Sequence, residues 1–434
     1  QITSMAGTQQ ESGLQTLPAA LLGRVWPPER TLVGMRTCKN LQADLARNAD
    51  ALLVQGSKND CDCEVTAHDV SETLRVLQGR LDLLWRIRNV NALVGGIAAV
   101  LAQGIAVAMV HLNLRRLKVG TEGAAALASV LGECKALVHL DAAYTGIGAV
   151  GVTCLVRAVR SCEGLSQLNL AGNALGPEGA RQLALLLREC SSLQMLDVSF
   201  NSIGPEGATA VAAVLCGSST LTHLTIHHNF IADQGTTSVA EVLGSCPGIE
   251  LLDLRYNDIG PDGACAVGRT LVDSPRLTHL NLSRNSIQDA GLRGICAGLQ
   301  AGKVPLTFLS VSKNGISPEG ITTLSAALPS CTHLSYLDLS ENDVGTEGAT
   351  ALSAVLARCT ALKDLNLNHS RLTSEGAKSV VFVLSQCTQL RSVDLRTNAL
   401  GGACKALVLE WAAEIPSLNL LVSDCAQSPY VRIL

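Results

Sequence analysis

The stretch "LSQLNLAGNALGPEGARQLALLLRECSS", residues 165–192, is followed at once by "LQMLDVSFNSIGPEGATAVAAVLCGSST", residues 193–220. Leucine, asparagine and a Gly-Pro-Glu-Gly tetrapeptide return at identical offsets. Units of 28 residues, with one of 29, begin at Met109, Leu137, Leu165, Leu193, Leu221, Ile249, Leu277, Leu306, Leu334, Leu362 and Leu390, and a truncated unit begins at Leu418. A fixed period of this kind predicts a solenoid, because each repeat buries its apolar face against its neighbours.

Each unit opens with a short strand. In "LSQLNLAGNAL", Leu168 and Leu170 alternate with polar or small residues, which predicts a strand with its leucines directed inward. The pattern L-x-x-L-x-L-x-x-N-x-[IL] is that of the leucine-rich repeat, whose period lies between about 20 and 29 residues.

The asparagine that follows the strand is predicted to pair with backbone groups that the turn leaves free. Copies in successive repeats then form a structural ladder. The ladder comprises Asn173, Asn201, Asn229, Asn257, Asn285, Asn314, Asn342 and Asn398. Looser or rearranged turns are expected where it is interrupted, at Leu117, Thr145 and Ser370.

The second half of the unit, "GPEGARQLALLL", predicts a helix. Pro177 suits the first turn, Glu178 is stabilised beside the positive helix end, and Leu183, Leu186 and Leu187 form an apolar stripe. The glycines do not indicate a phosphate site, because the Lys-Ser/Thr ending of a P-loop is missing and the motif recurs in nearly every repeat. The predicted fold class is therefore an α/β horseshoe solenoid, with parallel strands on the concave face and helices on the convex face.

The predicted organisation has four parts. Residues 1–65 form an N-terminal non-repeat segment, 66–108 a helical cap and degenerate first repeat, 109–425 the solenoid of eleven repeats plus a truncated last one, and 426–434 a C-terminal tail. The cap helix is expected in "HDVSETLRVLQGRLDLLWRI", with Leu77, Leu81 and Leu84 on its apolar face. No membrane span is predicted, because the end of the apolar run Ala92–Val110 already falls in repeat register.

Composition restricts the classes of partner. The net charge is −4, which provides no general attraction to nucleic acid or anionic membranes. Seven of the sixteen cysteines precede a repeat start by three residues: Cys134, Cys162, Cys190, Cys246, Cys331, Cys359 and Cys387. They are predicted to be buried thiols in a reducing intracellular compartment, with the cytoplasm favoured and cilium, cytoskeleton or organelle left open. No metal or other cofactor is predicted, since Cys61-Asp62-Cys63 lacks a second ligand pair.

Positions that vary between repeats are the candidates for function. Five of the eight Phe and Tyr residues fall in outward strand columns, and exposed aromatic rings are enriched at interfaces. Stacking of the rings on one another is the alternative explanation. A modest basic patch beside them suggests docking of an acidic protein segment, with RNA as a less favoured ligand. The candidate partner-binding residues are Tyr144, Phe200, His228, Tyr256, Arg255, Arg284, Phe308, Lys313 and Tyr336.

Two other sets of polar residues have structural interpretations. The fifth position of each repeat is mostly Asp or Asn, which we interpret as a polar ladder pairing with neighbouring strands. His139 with Asp141, and His227 with His228, are candidate metal ligands, but solvated surface histidines are the favoured interpretation. The H-E-x-x-H, G-x-S-x-G, P-loop and dinucleotide signatures are absent, and no enzymatic activity is predicted.

The unit "N-x-[IL]-G-P-E-G-A-x-x-[LV]" resembles the ribonuclease-inhibitor-like class of leucine-rich repeats from residue 109 to about 422. The resemblance implies an α/β horseshoe with a binding role. The leading hypothesis is a non-enzymatic intracellular scaffold or adaptor that holds a protein partner on its concave face within a larger assembly. The alternatives are a small-GTPase regulator similar to the Ran GTPase-activating proteins and a sensor fragment of a NOD-like receptor. The former have a long acidic tail and the latter a nucleotide-binding module; neither is evident here.

Overall fold

The computed structural model describes residues 80–82, 110–302, 304–415 and 418–422. Thirteen three-residue strands form one open parallel sheet in which sequence order and spatial order coincide. They are β1 Arg80–Asp82, β2 His111–Asn113, β3 His139–Asp141, β4 Gln167–Asn169, β5 Met195–Asp197, β6 His223–Thr225, β7 Leu251–Asp253, β8 His279–Asn281, β9 Phe308–Ser310, β10 Tyr336–Asp338, β11 Asp364–Asn366, β12 Ser392–Asp394 and β13 Asn419–Leu421.

A helix follows each strand from β2 to β12. The helices are α1 Gly120–Leu131, α2 Gly148–Val159, α3 Gly176–Leu187, α4 Gly204–Leu215, α5 Ala232–Ser245, α6 Pro261–Thr270, α7 Gln288–Ala301, α8 Pro318–Ala327, α9 Gly345–Leu356, α10 Ser374–Val383 and α11 Gly402–Ala413. None of the described helices is both long enough and apolar enough to cross a bilayer.

The repeat period sets the register of the sheet. The central leucine of each strand pairs with the central residue of the next, as Leu168 does with Leu196. These leucines face the helices and are buried; Leu140 and Leu252 are each 1% exposed. Burying one such side chain contributes about 1.5–3 kcal/mol, so repetition builds a continuous aliphatic core. The predicted solenoid, with strands on one face and helices on the other, is confirmed.

The helix starts also follow the sequence prediction. A proline stands at the first helical positions of α3, α4, α6 and α8. At α6 the cap comes from the preceding repeat: Asp233 Oδ1 accepts hydrogen bonds from the Gly260 and Gly263 N–H groups at 2.7 and 2.8 Å. Neighbouring repeats are therefore joined at their helix N-termini as well as through the sheet.

The start of the sheet differs from the prediction. A cap helix through Leu81 is wrong for residues 80–82, which form β1, and Arg80 pairs with His111, 31 residues later. In "QGRLDLL" a glycine interrupts the helical pattern and Leu81 and Leu83 repeat the alternation of a strand. An added parallel strand also covers edge groups of β2 that water would otherwise have to satisfy. The remainder of the predicted cap, and the boundaries at 65, 108 and 425, lie outside the described residues.

The asparagine ladder is confirmed. Asn201 Nδ2 donates to the carbonyls of Leu170 and Val198, both at 2.9 Å, and Asn201 Oδ1 accepts from the N–H of Asn173 at 2.8 Å. Each amide thus bonds both its own turn and the turn of the preceding repeat. Among the ladder residues, Asn173, Asn201, Asn229, Asn257 and Asn314 have no solvent-exposed surface. Unpaired, such groups would each cost about 1–3 kcal/mol.

At the ladder interruptions the turns are rearranged rather than looser: Leu117 N–H donates to the Leu114 carbonyl at 3.0 Å, and Thr145 and Ser370 use their hydroxyls. Thr145 Oγ1 donates to the carbonyl of Ala142 at 2.7 Å, and Ser370 Oγ lies 3.4 Å from the carbonyl of Leu339. Both residues are buried, and the residues before them keep the left-handed backbone of the other turns. A hydroxyl can replace one donor of the amide, which is sufficient to close the turn.

The cysteine column lies inside the fold, as predicted. Cys134, Cys162, Cys190, Cys246 and Cys331 are buried, while Cys359 and Cys387 are half-buried. Cys162 Sγ lies 3.2 Å from the carbonyl of Cys134, so the thiol donates to the backbone of the preceding repeat. Burial raises the pKa of Cys162 to about 12, which keeps this thiol protonated. The twelve cysteines among the described residues are all free.

Candidate functional site

The residue before each ladder position occupies the point where strand turns into loop, both at the eight asparagines and at the interruptions Leu117, Thr145 and Ser370. We call these eleven residues the pre-asparagine row. They are Arg116, Tyr144, Gly172, Phe200, His228, Tyr256, Arg284, Lys313, Glu341, His369 and Thr397. Every one has a φ between 51° and 67°, in the left-handed region. This backbone costs an L-residue about 1–2 kcal/mol, yet only one member is glycine.

Four members of this row form a continuous aromatic row, defined as Tyr144, Phe200, His228 and Tyr256. The Phe200 and His228 rings stack with centroids 4.1 Å apart, and the His228 and Tyr256 rings stack at 3.9 Å. Tyr144 approaches Phe200 to 6.1 Å across Gly172. Strand spacing of about 4.8 Å places side chains of adjacent repeats at stacking distance.

Stacking does not cover these rings. Tyr144, Phe200 and Tyr256 remain 39%, 40% and 38% exposed. Stacking holds each ring in place while leaving its outer edge in water. A rigid, partly exposed aromatic surface loses little conformational entropy when a ligand covers it, which is a property of interface hot spots.

Hydrogen bonds fix the orientation of the histidine pair. Arg255 Nη2 lies 3.3 Å from Nε2 of His227, and His227 Nδ1 lies 2.9 Å from Nδ1 of His228. Because a guanidinium only donates, His227 Nε2 must accept, and the His227 Nδ1–H then donates to His228. The proton of neutral His228 consequently lies on Nε2, between Phe200 and Tyr256. His227 is 6% exposed, so the prediction of a solvated histidine is wrong there.

Both imidazoles are neutral at physiological pH. Burial, with the nearby Arg255 charge, lowers the pKa of His227 to about 2 and that of His228 to about 4. The centre of the aromatic row therefore carries no positive charge of its own.

Each cation of the predicted basic patch, formed by Arg255, Arg284 and Lys313, has an acidic partner, but the three cations share two carboxylates. Arg255 Nε lies 3.2 Å from an oxygen of Asp253. Glu341 binds two cations at once, with Oε1 2.8 Å from Arg284 Nη2 and Oε2 3.1 Å from Lys313 Nζ. The Arg284 guanidinium also lies 5.0 Å from the ring centroid of Tyr256. These ion pairs hold the surface together and reduce its positive charge, since three cations against two carboxylates leave a net charge of +1.

A second ring cluster lies on the strands rather than on the loops. Phe308 stacks on Tyr336 at 4.7 Å and lies 5.7 Å from the ring of His279. Phe308 is only 8% exposed, so its prediction as an exposed contact is wrong, and Tyr336 is half-buried. For this pair the alternative explanation, mutual stacking, describes what the structure contains.

The Asp and Asn residues of the fifth position also differ from expectation. They mostly accept from the N–H two residues later in their own chain segment rather than from neighbouring strands. Asp197 Oδ1, for example, accepts from Ser199 N–H at 2.9 Å. A bond between strands does occur from Ser310 Oγ to Asp338 Oδ2, at 3.2 Å. These residues terminate the strands.

Phe230 was not singled out from the sequence, although it is 59% exposed and has a φ of 55°. It lies two residues after His228, on the loop that leads to α5. The equivalent positions of other repeats hold Gly146 and Gly315, which suit this backbone. The sequence does contain a signal for Phe230: it is an aromatic residue at a repeat position where the other repeats have glycine or a small or polar residue.

The described part of the chain contains no group of three or more His, Cys, Asp or Glu side chains able to hold a metal ion. The His227–His228 pair is instead bonded internally and to Arg255.

Comparisons with known proteins address the fold. A family model described as "Leucine Rich repeat" matches seven segments, at residues 162–184, 189–212, 246–268, 274–296, 304–325, 330–353 and 358–381. No curated protein sequence matches the chain. The family matches follow the repeat units that the structure shows as strand, loop and helix.

Two solved structures from Listeria monocytogenes are similar at 17% identity. One is an internalin (InlF), for which the match covers 77% of this chain and 95% of that one, with a TM-score of 0.46. The other is the functional domain of InlJ, described as including a cysteine ladder; 74% of this chain and 64% of that one are covered, with a TM-score of 0.42. The seven family matches and the sequential strand–helix units show that the chain belongs to the leucine-rich-repeat family, and its 28-residue period fits the ribonuclease-inhibitor-like class.

Proposed function

We propose that this protein is a non-enzymatic scaffold or adaptor that holds a protein partner against the aromatic row, within a larger assembly. The observation that carries the proposal is the exposure of Tyr144, Phe200 and Tyr256 at left-handed backbone positions. Glycine would suit these positions better, so the fold itself does not require the rings. Residues that strain the backbone and expose apolar surface are typical of binding sites.

The proposal extends to the compartment. The column of buried and half-buried thiols, which form no disulfide within the described residues, supports an intracellular, reducing location, since an oxidising compartment favours disulfides.

A comparative affinity purification tests the function. The full chain, a Phe200→Ala/Tyr256→Ala variant and a Phe382→Ala variant are each expressed with a tag in cells that produce the protein. Phe382 is a matched control because it is 67% exposed but lies on α10, on the helical face. After quantitative mass spectrometry, we expect at least one protein to be recovered with the wild type and Phe382→Ala and lost with the double variant. Identical recovery with all three proteins would place the interface elsewhere.

A further inference from the structure

We propose that the site extends from the aromatic row over the loop edge to Phe230, and that its ligand is a basic protein segment carrying an apolar anchor residue. This inference rests on the proposed function and specifies the partner of the same site. It is carried by the position of Phe230 and by the distribution of charge along the solenoid.

Phe230 lies two residues after His228, on the loop edge that follows the aromatic row. Ala232 N–H donates to the Asn257 carbonyl at 2.9 Å, which aligns the Phe230 loop with that of Tyr256 and Asp258. Phe200, Phe230 and Tyr256 therefore come from three successive repeats and share one loop edge, with His228 stacked between the outer two. Together they present an apolar surface that an aliphatic or aromatic side chain can cover.

The charge of the chain is concentrated in these same three repeats. Residues 193–276 contain nine Asp and Glu and three Arg, a net charge of −6, whereas the whole chain has −4. The preceding unit, residues 165–192, has two Glu and two Arg and is neutral. These three consecutive repeats are together the most acidic in the solenoid, although the single unit 334–361, with four Asp and Glu and one Arg, carries −3.

Part of this negative charge is uncompensated and accessible. Asp258, one repeat after Phe230, and Asp262, in the first turn of α6, are exposed and have no ion-pair partner within the described ranges. Other acids are already used: Asp233 caps α6, and Glu206 pairs with Arg181 at 3.1 Å. The cation beside Tyr256, Arg284, is paired with Glu341, which also binds Lys313.

An acidic or nucleic-acid ligand would meet the exposed carboxylates of Asp258 and Asp262 at this edge, where the described cations Arg255 and Arg284 are held in ion pairs. A free cation of the pre-asparagine row, Arg116, lies three repeats from Phe200, at roughly 14 Å by strand spacing. That distance exceeds the screening length of about 8 Å at physiological salt. A lysine or arginine beside an apolar residue complements both the rings and the carboxylates.

The test selects the ligand chemistry without assuming a sequence. Phage that display random peptides are first passed over the immobilised full chain carrying Phe230→Gly and Tyr256→Ala, and the phage that bind it are discarded. The remaining phage are then selected on the immobilised wild-type full chain. Phe230→Gly retains the local backbone, since glycine occupies the equivalent positions 146 and 315. Circular dichroism and the melting temperature establish that the depleting variant is folded.

We expect the enriched peptides to combine Lys or Arg with Leu, Ile or Phe. For a synthesised peptide, fluorescence anisotropy should show affinity falling with added salt, about two- to fivefold weaker binding to Asp258→Asn, and at least about tenfold weaker binding to Phe230→Gly. Glu241→Gln, in α5 on the helical face, is the matched charge control and should leave affinity unchanged.

The other outcomes separate the two proposals. Peptides without a basic bias that still require Phe230 and Tyr256 would remove the basic partner and leave the proposed function standing. Peptides that bind the wild type and the depleting variant equally, or no enrichment at all, would count against both.

Discussion

Tyr144 and Phe200 stand two repeats apart, yet their ring centroids lie 6.1 Å apart, because Gly172 between them has no side chain. Two strand spacings amount to about 9.6 Å, so the rings lean towards each other over the glycine. A Cβ on Gly172 would overlap the Cδ1 and Cε1 atoms of the Tyr144 ring. This glycine therefore continues the aromatic surface across a repeat that contributes no ring.

Replacing this glycine should cost stability in two ways. We expect Gly172→Ala to lose about 1–2 kcal/mol from its φ of 67°, and more from displacement of Tyr144. Gly176→Ala is the matched control, since Gly176 has a φ of 61° with nothing within 4 Å of the added Cβ. Urea denaturation measures both free energies of unfolding, and an equal loss in the two variants would contradict the packing role of Gly172.

The asparagine ladder predicts a graded response at one position. Asn201→Ala should destabilise the protein by about 1–3 kcal/mol, because it leaves the Asn173 N–H without its acceptor and removes one of the two amide donors of the Leu170 and Val198 carbonyls. Asn201→Thr should cost less, since Thr145 closes an equivalent turn with its hydroxyl. Thermal unfolding of the two variants tests this order. A threonine variant as unstable as the alanine variant would mean that the bond within the turn contributes little.

Thiol reactivity should separate the cysteines by burial. At mildly alkaline pH we expect iodoacetamide to label exposed Cys216 in the native protein well before Cys162, because the thiolate is the reactive form and burial raises the pKa of Cys162 to about 12. Peptide mass spectrometry over time provides the rates, and labelling in guanidinium should abolish the difference. Rapid native labelling of Cys162 would show that its repeat opens locally.

The histidine pair predicts a pH dependence with a definite sign. The pKa of His228 is lowered to about 4 in the folded protein, so its contribution to stability is present above pH 6.5 and lost as pH falls from 6.5 through 4. We expect His228→Phe, which preserves the stacking, to lose less stability than the wild type over that window.

Asp253 acts in the opposite direction, since burial raises the pKa of its carboxyl to about 6; its contribution is present below pH 3.8 and lost as pH rises through 6. Asp253 is present in both the wild type and the His228→Phe variant. Its contribution therefore cancels when the loss of stability of one protein is subtracted from that of the other, and the contribution of His228 remains. NMR titration of the His228 ring should give a midpoint near 4, and a midpoint near 6.5 would show that its environment is more solvated than the geometry implies.

The repeated elements were predictable because their causes are local. Alternating leucines define each strand, the asparagine defines each turn, and proline with an apolar stripe defines each helix. The sequence also placed Tyr144, Phe200 and Tyr256 in one exposed column, since a constant period of 28 converts sequence spacing into spatial neighbourhood. The strand β1 was not predicted, because it lies 31 residues before β2 and so departs from the period of 28.

Contacts between side chains of different repeats were not predictable in this way. Glu341 pairs with Arg284 from two repeats away, and Phe308 is covered by flanking rings, whereas Phe200 keeps its outer edge in water. Whether a charge is paired or a ring is covered depends on the rotamers of the side chains and on the size of the residue in the neighbouring repeat. Gly172 is an example of a small neighbour.

By itself, the sequence determined the solenoid, its strand register, its asparagine ladder and its buried thiols, because each follows from a short-range pattern repeated at a constant interval. Only the tertiary structure decided which charges are paired and which rings are exposed, Phe230 among them. Those properties depend on the packing of side chains from separate repeats, and burial and electrostatic pairing are set by that packing rather than by residue type.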